Sequence, residues 1–251
     1  MKLAKNKYQL NFSDNHKILY DENERKQKAN KILAVLKDHL GQLNNLKLLD
    51  IGSSTGIITS FLSKNFLETV GIDIDEKAVQ YAKENFENEH LHFYIQDAIN
   101  ISFPDSSFDI VNCTHIYEHV PDSKRLMDEI YRVLRPAGVC FFAAGNRIQF
   151  FVEDYNLPLL SVIPKWLAHK YIRLFKKADF YYENSLSYWG LKQLTSRFEI
   201  IDYTKKVIKN PVKYYATDMV NENSITQWCY LFVLKIAYWI CPTYIWILKK
   251  S

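Results

Sequence analysis

The chain has 251 residues, 48% of them apolar and 24% charged, with a formal net charge of +4. That length fits one large α/β domain or a domain with an insert, and the mild charge alone argues for neither nucleic acid nor an acidic surface as partner. The polar first ten residues lack a signal-type apolar stretch, and no uncharged apolar run reaches the roughly 18–20 residues of a membrane span. The nearest run, 228–240, is interrupted by Lys235 and stopped by Pro242. Cys113, Cys140, Cys229 and Cys241 show neither CxxC pairing nor metal-ligand spacing, so the expectation is reduced thiols, no metal and a cytoplasmic protein.

Residues 1–21 look irregular, with a Ser13-Asp14-Asn15 turn signal. Ala29, Ile32, Leu33, Leu36 and Leu40 fall at helical spacing, which predicts a helix over 24–40 closed by Gly41. Strands and helices then alternate. Strands are predicted at 46–51, 69–74, 91–96, 108–113 and 138–144; helices at 57–65, 76–88 (capped by Asp75) and 123–134. This alternation predicts a doubly wound, mostly parallel sheet buried on both faces. After Gly145 the composition turns aromatic and proline-broken, with short helices predicted in 159–177. A helix at 187–196, a strand at 198–206, a helix at 224–240 and a last strand at 243–248 complete a seven-stranded α/β fold. Four segments follow: 1–45 N-terminal helical, 46–145 core, 146–185 a cap insert, and 186–251 the closing helices and strands.

Chemistry concentrates at three strand ends. The first strand runs through Asp50 into Gly52-Ser53-Ser54-Thr55-Gly56, where glycines permit a tight turn and close approach of a ligand or helix. The second ends at Asp73-Ile74-Asp75; Asp73 lies about twenty residues past Gly52, where a strand-tip acid meets ribose hydroxyls. Asp75 suits the helix cap, which leaves Asp73 for a ligand. Asp97-Ala98 follows the third strand, placed for an adenine edge. Open α/β sheets bind ligands in this crevice at the carboxyl ends of their strands.

Taken in order, LLDIGSSTG, VGIDID, YIQDA, FPDSSFDIVNCTHIYEHVPD and LMDEIYRVLRPAGV resemble the core of class I S-adenosylmethionine-dependent methyltransferases, in particular the small-molecule group of ubiquinone/menaquinone type. The resemblance covers residues 46–145 and implies a Rossmann-like methyltransferase fold with S-adenosyl-L-methionine as cofactor. It implies Asp50 and Gly52 under the methionine portion, with Gly56 completing the glycine motif. It implies Asp73 on the ribose, Ile74 beside the adenine, and Asp97 with Ala98 on the adenine amine; Asn112 ends the fourth strand against the same crevice. Ser54 departs from the pattern, standing where the family has its middle glycine.

The loop His115-Ile116-Tyr117-Glu118-His119 should face the transferable methyl. His119 and His115 are candidate general bases for an acceptor hydroxyl, with Glu118 orienting one of them. The competing reading is that Glu118-His119 only packs the loop. No Asn-Pro-Pro-Tyr or Asp-Pro-Pro-Tyr follows the fourth strand, so methylation of a flipped base is not expected. Asp109 reads as structural.

The insert should supply the acceptor pocket, through Asn146, Arg147, Phe150, Phe151, Glu153, Asp154, Tyr155, Trp166 and His169. Its aromatics beside carboxylates suit sugar rings. Together with SYWGLKQL and PTYIWILKK it resembles, more loosely, methyltransferases of cell-surface polysaccharide assembly, which implies a saccharide or glycolipid hydroxyl as acceptor. Lys165, Lys170, Arg173, Lys176 and Lys177 interleave with apolar residues, as on a helix lying on an anionic bilayer, although a cap helix with one packed and one wet face is favoured. The chain is expected to be a monomer or homodimer. Two other function classes stay open. A nicotinamide-dinucleotide oxidoreductase is disfavoured, since the turn is not GxGxxG. A non-catalytic S-adenosylmethionine-binding protein rests only on Ser54.

Overall fold

The computed structural model describes residues 13, 17–149, 151–152, 155, 157–178 and 180–251. After a 3-10 turn at Lys17–Tyr20, helix α1 spans Glu22–Leu40. It starts two residues earlier than its apolar spacing suggests, because the Asp21 carboxylate accepts the N–H groups of Asn23 and Glu24 and so caps it. Gly41, at φ +78°, ends it with a backbone bond back to Lys37.

The core then runs β1 (Lys47–Ile51), α2 (Ile57–Ser63), β2 (Glu68–Asp73), α3 (Glu76–Phe86), β3 (Leu91–Ile95), β4 (Phe108–Thr114), α4 (Ser123–Val133) and β5 (Leu134–Gly145). Asp75 caps α3, as expected. A hairpin of β6 (Phe151–Val152) and β7 (Leu157–Pro158) follows, then α5 (Lys165–Leu174) and α6 (Tyr188–Leu194). The chain closes with β8 (Phe198–Asp202), α7 (Thr204–Lys209), α8 (Ile225–Ile236), a 3-10 turn at Tyr238–Ile240 and β9 (Thr243–Lys250).

Seven strands form one sheet in the order β3-β2-β1-β4-β5-β9-β8. The first five are parallel, and β9 runs antiparallel to both neighbours. Alternate residues serve opposite faces. Leu48, Ile110, Val139 and Ile247 pack toward α1 and α2, while Leu49, Val111, Cys140 and Leu248 pack toward α4, α6 and α8. Both faces are therefore covered, which is why these strands read as continuous apolar runs.

Three sequence expectations need correction. The strand drawn over 198–206 stops at Asp202, whose carboxylate accepts the Thr204 N–H and turns the chain into α7. The helix drawn over 224–240 stops at Ile236 and yields to the 3-10 turn before Pro242. Among its described residues the insert holds a single helix, α5, over a small core of its own, where Tyr155, Leu157, Leu160, Ala168, Ile172 and Tyr181 meet. Cys113, Cys140 and Cys241 are buried and all four cysteines are free; burial pushes the Cys113 thiol well up, as suits an inert core residue.

Candidate active site

The turn after β1 is fixed by backbone geometry. The N–H groups of Gly52 and Ser53 both donate to the Ile72 carbonyl, at 2.8 and 3.0 Å, fastening the turn to β2. Gly52 has φ +75°, and a Cβ there would overlap the Ile116 side chain. Ser54 keeps the left-handed conformation (φ +48°) that favours glycine, and its N–H donates to Asp73 Oδ2 at 2.8 Å. The other Asp73 oxygen accepts the Asp75 N–H at 2.9 Å. Desolvation at this strand tip raises the Asp73 carboxyl above its usual range despite both bonds.

Asp50 is buried beneath the turn. Its carboxylate accepts the Thr59 hydroxyl at 2.5 Å and the Asn112 amide at 2.6 Å. Burial pushes its carboxyl up to about 6, against the pull of those two donors. Asn112 Oδ1 in turn accepts the Thr114 hydroxyl at 2.9 Å. Past β3, Asp97 accepts the Ile99 N–H at 3.1 Å and so stays at the strand tip.

A cavity of about 480 Å³ opens beside these tips, at the point where β1 pairs with β2 on one side and β4 on the other. Asp50, Gly52, Ser54, Asp73 and Ile74 line it, with Asp97, Ala98 and Asn112. Gly56 does not. It adopts φ +76° behind the turn, where a Cβ would come within 2.6 Å of Ala82 and 2.8 Å of Phe93, so its smallness serves the packing of α2 on α3 and β3.

His115 and His119 line the cavity beyond Asn112; Glu118 stands behind them. His115 has φ +54° and its Nδ1 lies 3.3 Å from Glu118 Oε1. Burial alone would push the Glu118 carboxyl up. The hydrogen bond to His115 and the charges of His115 and His119 outweigh it and hold the group below the usual carboxylate range. Glu118 Oε2 is buried without a hydrogen-bond partner among the described residues. Tyr117, fully buried, locks this loop: its hydroxyl donates to the Gly145 carbonyl at 2.5 Å and accepts the Leu186 N–H at 3.1 Å. Asp109 is structural as expected, accepting the Lys47 N–H and pairing with Arg135 at 2.7 Å.

The far wall of the cavity is not the one the sequence suggests. Phe150, Glu153 and Asp154 lie outside the described residues. Tyr155 is buried in the insert's own core, 5.5 Å from the Tyr181 ring. Asn146 spends its amide on the carbonyls of Trp239 and Cys241, Arg147 bonds Ser161, and His169 accepts the Tyr181 N–H. Trp166 points outward, and of the described insert residues Tyr182 lines the cavity. The wall is built instead from Ile32, Phe141, Ala143, Met219 and Ile245. Three cations of α1, Arg25, Lys28 and Lys31, border it, and Lys31 grips both Asp218 oxygens at 2.8 and 3.0 Å. Their 25-28-31 spacing marks a single helix face, the one signal the sequence offered. Among the described residues no group of three His, Cys, Asp or Glu could hold a metal ion.

Fold and crevice together define a doubly wound α/β protein with a nucleoside-type site at its strand switch. A family profile described as a methyltransferase domain matches residues 49–142. A ubiquinone biosynthesis O-methyltransferase of Coxiella burnetii is 28% identical over 154 residues, covering 59% of this chain and 62% of that protein. A demethylmenaquinone methyltransferase of Staphylococcus aureus is 31% identical over 179 residues, covering 67% and 72%. Among solved structures, the N-methyltransferase NodS of Bradyrhizobium japonicum, in complex with S-adenosyl-L-homocysteine, superimposes with a TM-score of 0.52 at 12% identity over 89% of this chain and 86% of its own. The [4+2]-cyclase SpnF gives 0.54 at 17% identity over 88% and 81%, so this fold alone does not fix an activity. The chain belongs to the class I S-adenosylmethionine-dependent methyltransferases. It spans about 60% of the length of the first curated relatives it matches.

Proposed function

We propose that this chain transfers the methyl group of S-adenosyl-L-methionine to a hydroxyl of a small, ring-bearing acceptor. One observation carries the reading: the tips of β1, β2 and β3 bring Gly52, Asp73 and Asp97 to a single cavity, which continues past His115 and His119 to an apolar wall.

The residues present fit the cofactor. Asp50 is a buried carboxylate that accepts from the Thr59 and Asn112 side chains among the described residues, a fit for an ammonium group. Asp73 keeps acceptor capacity for ribose hydroxyls after bonding the two turn N–H groups. Ile74 and Ala98 offer apolar contact to a purine, and Asp97 accepts from its amine. When bound, the cofactor supplies a methyl activated by a positive sulfonium. The chain's own work is to bind, orient and accept a proton. His115, held through Nδ1 by Glu118, would take the acceptor's proton; His119 lines the same stretch of cavity.

The acceptor's body would lie against Phe141, Ile32, Met219 and Ile245, with Tyr182 and Thr243 for polar contacts. A saccharide or glycolipid ring fits that mixture. So does a ring of the quinone-biosynthesis type that the names of the ubiquinone and menaquinone relatives point to, of which the ubiquinone relative is named as an O-methyltransferase. Calorimetry with S-adenosyl-L-homocysteine and with NAD tests the cofactor half: only the former should bind. Transfer of labelled methyl into lipid and glycan extracts tests turnover, and an unlabelled extract would leave a binding protein.

A further inference from the structure

Gly145 of β5 pairs with Thr243 of β9, and Asp202 of β8 pairs with Trp246, so β5 ends, β9 begins and β8 ends at one edge of the sheet. The insert and α7 follow the chain out of that edge, α8 leads back to it through the 3-10 turn, and Thr243 and Ile245 of β9 line the cavity there. Two of these helices turn apolar faces outward. On α5, Ala168 and Ile172 are buried, while Trp166 (63% exposed) and Leu174 (78%) face away from the protein, with Phe175 beside them. On α8, Ile225 (85%), Trp228 (78%), Phe232 and Ile236 recur at helical spacing on the outer side, opposite the buried Leu234. The α5 face expected to be wet therefore mixes aromatic and aliphatic side chains with the exposed cations Lys170 and Arg173. Exposed apolar side chains gathered on a helix face in this way mark an interaction site.

Charge selects the occupant. Between Tyr155 and Ala178 the sequence carries five Lys and Arg and no Asp or Glu. These cations lie against aromatic rings, as snorkelling side chains do: Lys170 Nζ stands 5.5 Å from the Trp166 ring, and the Arg173 guanidinium 5.1 Å from the Phe180 ring. A second copy docking through α5 would set these cations against themselves. No helix among the described residues is long and apolar enough to cross a membrane. We propose that this edge docks on an anionic lipid bilayer, with the apolar faces of α5 and α8 in the headgroup boundary and the α5 cations on lipid phosphates. The proposal goes beyond methyl transfer and does not depend on it.

Flotation of the full chain with vesicles tests it without cofactor. The chain should float with phosphatidylcholine vesicles containing phosphatidylglycerol, and not with phosphatidylcholine alone. Raising salt from about 0.1 to about 1 M should release most of it. The double variant Lys176→Gln/Lys177→Gln should lose affinity about 25-fold, about fivefold per charge. Leu174→Ser and Trp228→Ser should each lose about tenfold. All four positions are exposed, so unchanged thermal melts are expected to show intact folding. Failure to float with anionic vesicles overturns the proposal, as does flotation indifferent to salt and to the lysine pair. So does light scattering that shows a dimer dissolved by Leu174→Ser or Trp228→Ser without vesicle binding, since the face would then belong to a second copy.

Discussion

Between the Thr59 hydroxyl and the Asn112 amide, the Asp50 carboxyl titrates near 6 instead of about 3.8. A raised value means that the neutral form favours folding. Its contribution is whole below pH 3.8 and is lost as pH rises through about 6, a span worth roughly 3 kcal/mol. Without cofactor the chain should lose stability across that window, and Asp50→Asn should flatten this part of the profile in denaturant titrations. Cofactor affinity should move the opposite way, rising through pH 6, because only the carboxylate attracts an ammonium. Asp73→Ala should weaken S-adenosyl-L-homocysteine about 100-fold or more, the loss of two charge-assisted bonds at roughly 1.5–3 kcal/mol each; near-normal calorimetric affinity would dismantle the site. In the proposed mechanism Glu118 acts through His115, whose Nδ1 lies 3.3 Å from its Oε1. Glu118→Gln should lower kcat about tenfold with KM unchanged, and shift the acid limb of the pH–rate profile downward, since His115 loses a negative neighbour. An unmoved limb would return Glu118 to loop packing. That Asp73 and Asp97 line one cavity was legible in the sequence because each follows a strand end, whereas Asp50 came from the family resemblance. Arg25, Lys28 and Lys31 were not legible: helical periodicity tells which side chains share a face, and never what that face looks upon.

The turn between β1 and α2 is an element whose glycines do different jobs. Gly52 clears the active-site loop, whereas Gly56 clears Ala82 and Phe93 on the far side. Gly56→Ala should therefore act on stability, combining a left-handed backbone cost with overpacking, roughly 2–5 kcal/mol together. Urea unfolding should show that loss, and a wild-type midpoint would mean the two helices can spread at little cost. Ser54 already tolerates its left-handed position through the bond to Asp73. Helix starts were readable at the caps Asp75, Ser187 and Ser224, but not at Asp21, which lies outside the apolar spacing of α1. The end of β8 was not readable, because Tyr203 and Thr204 are strand-favouring residues with no Gly or Pro just before them, and the bond that the Thr204 N–H donates to the Asp202 side chain overrides that preference. In the insert, two-residue strands and an internal core leave no periodic trace.

At the scale of the molecule, α1 and the stretch around Asp218 meet across the cavity mouth through Lys31, joining parts of the chain 187 residues apart. The alternation of the first five strands announced the parallel sheet, and a β-branched, aromatic closing segment announced a late strand. Its placement was beyond the sequence: β9 does not border the sheet but wedges between β5 and β8, with Trp246 and Ile247 at its buried centre. That position sets a timetable. On a ribosome β9 emerges after every other strand of the sheet, so β8 has no neighbour to bond until then, and the half-built layer must wait with one flank open. Removing this strand would cut into the interior rather than trim an edge, and a nascent chain halted before residue 243 should be held by chaperones as a client.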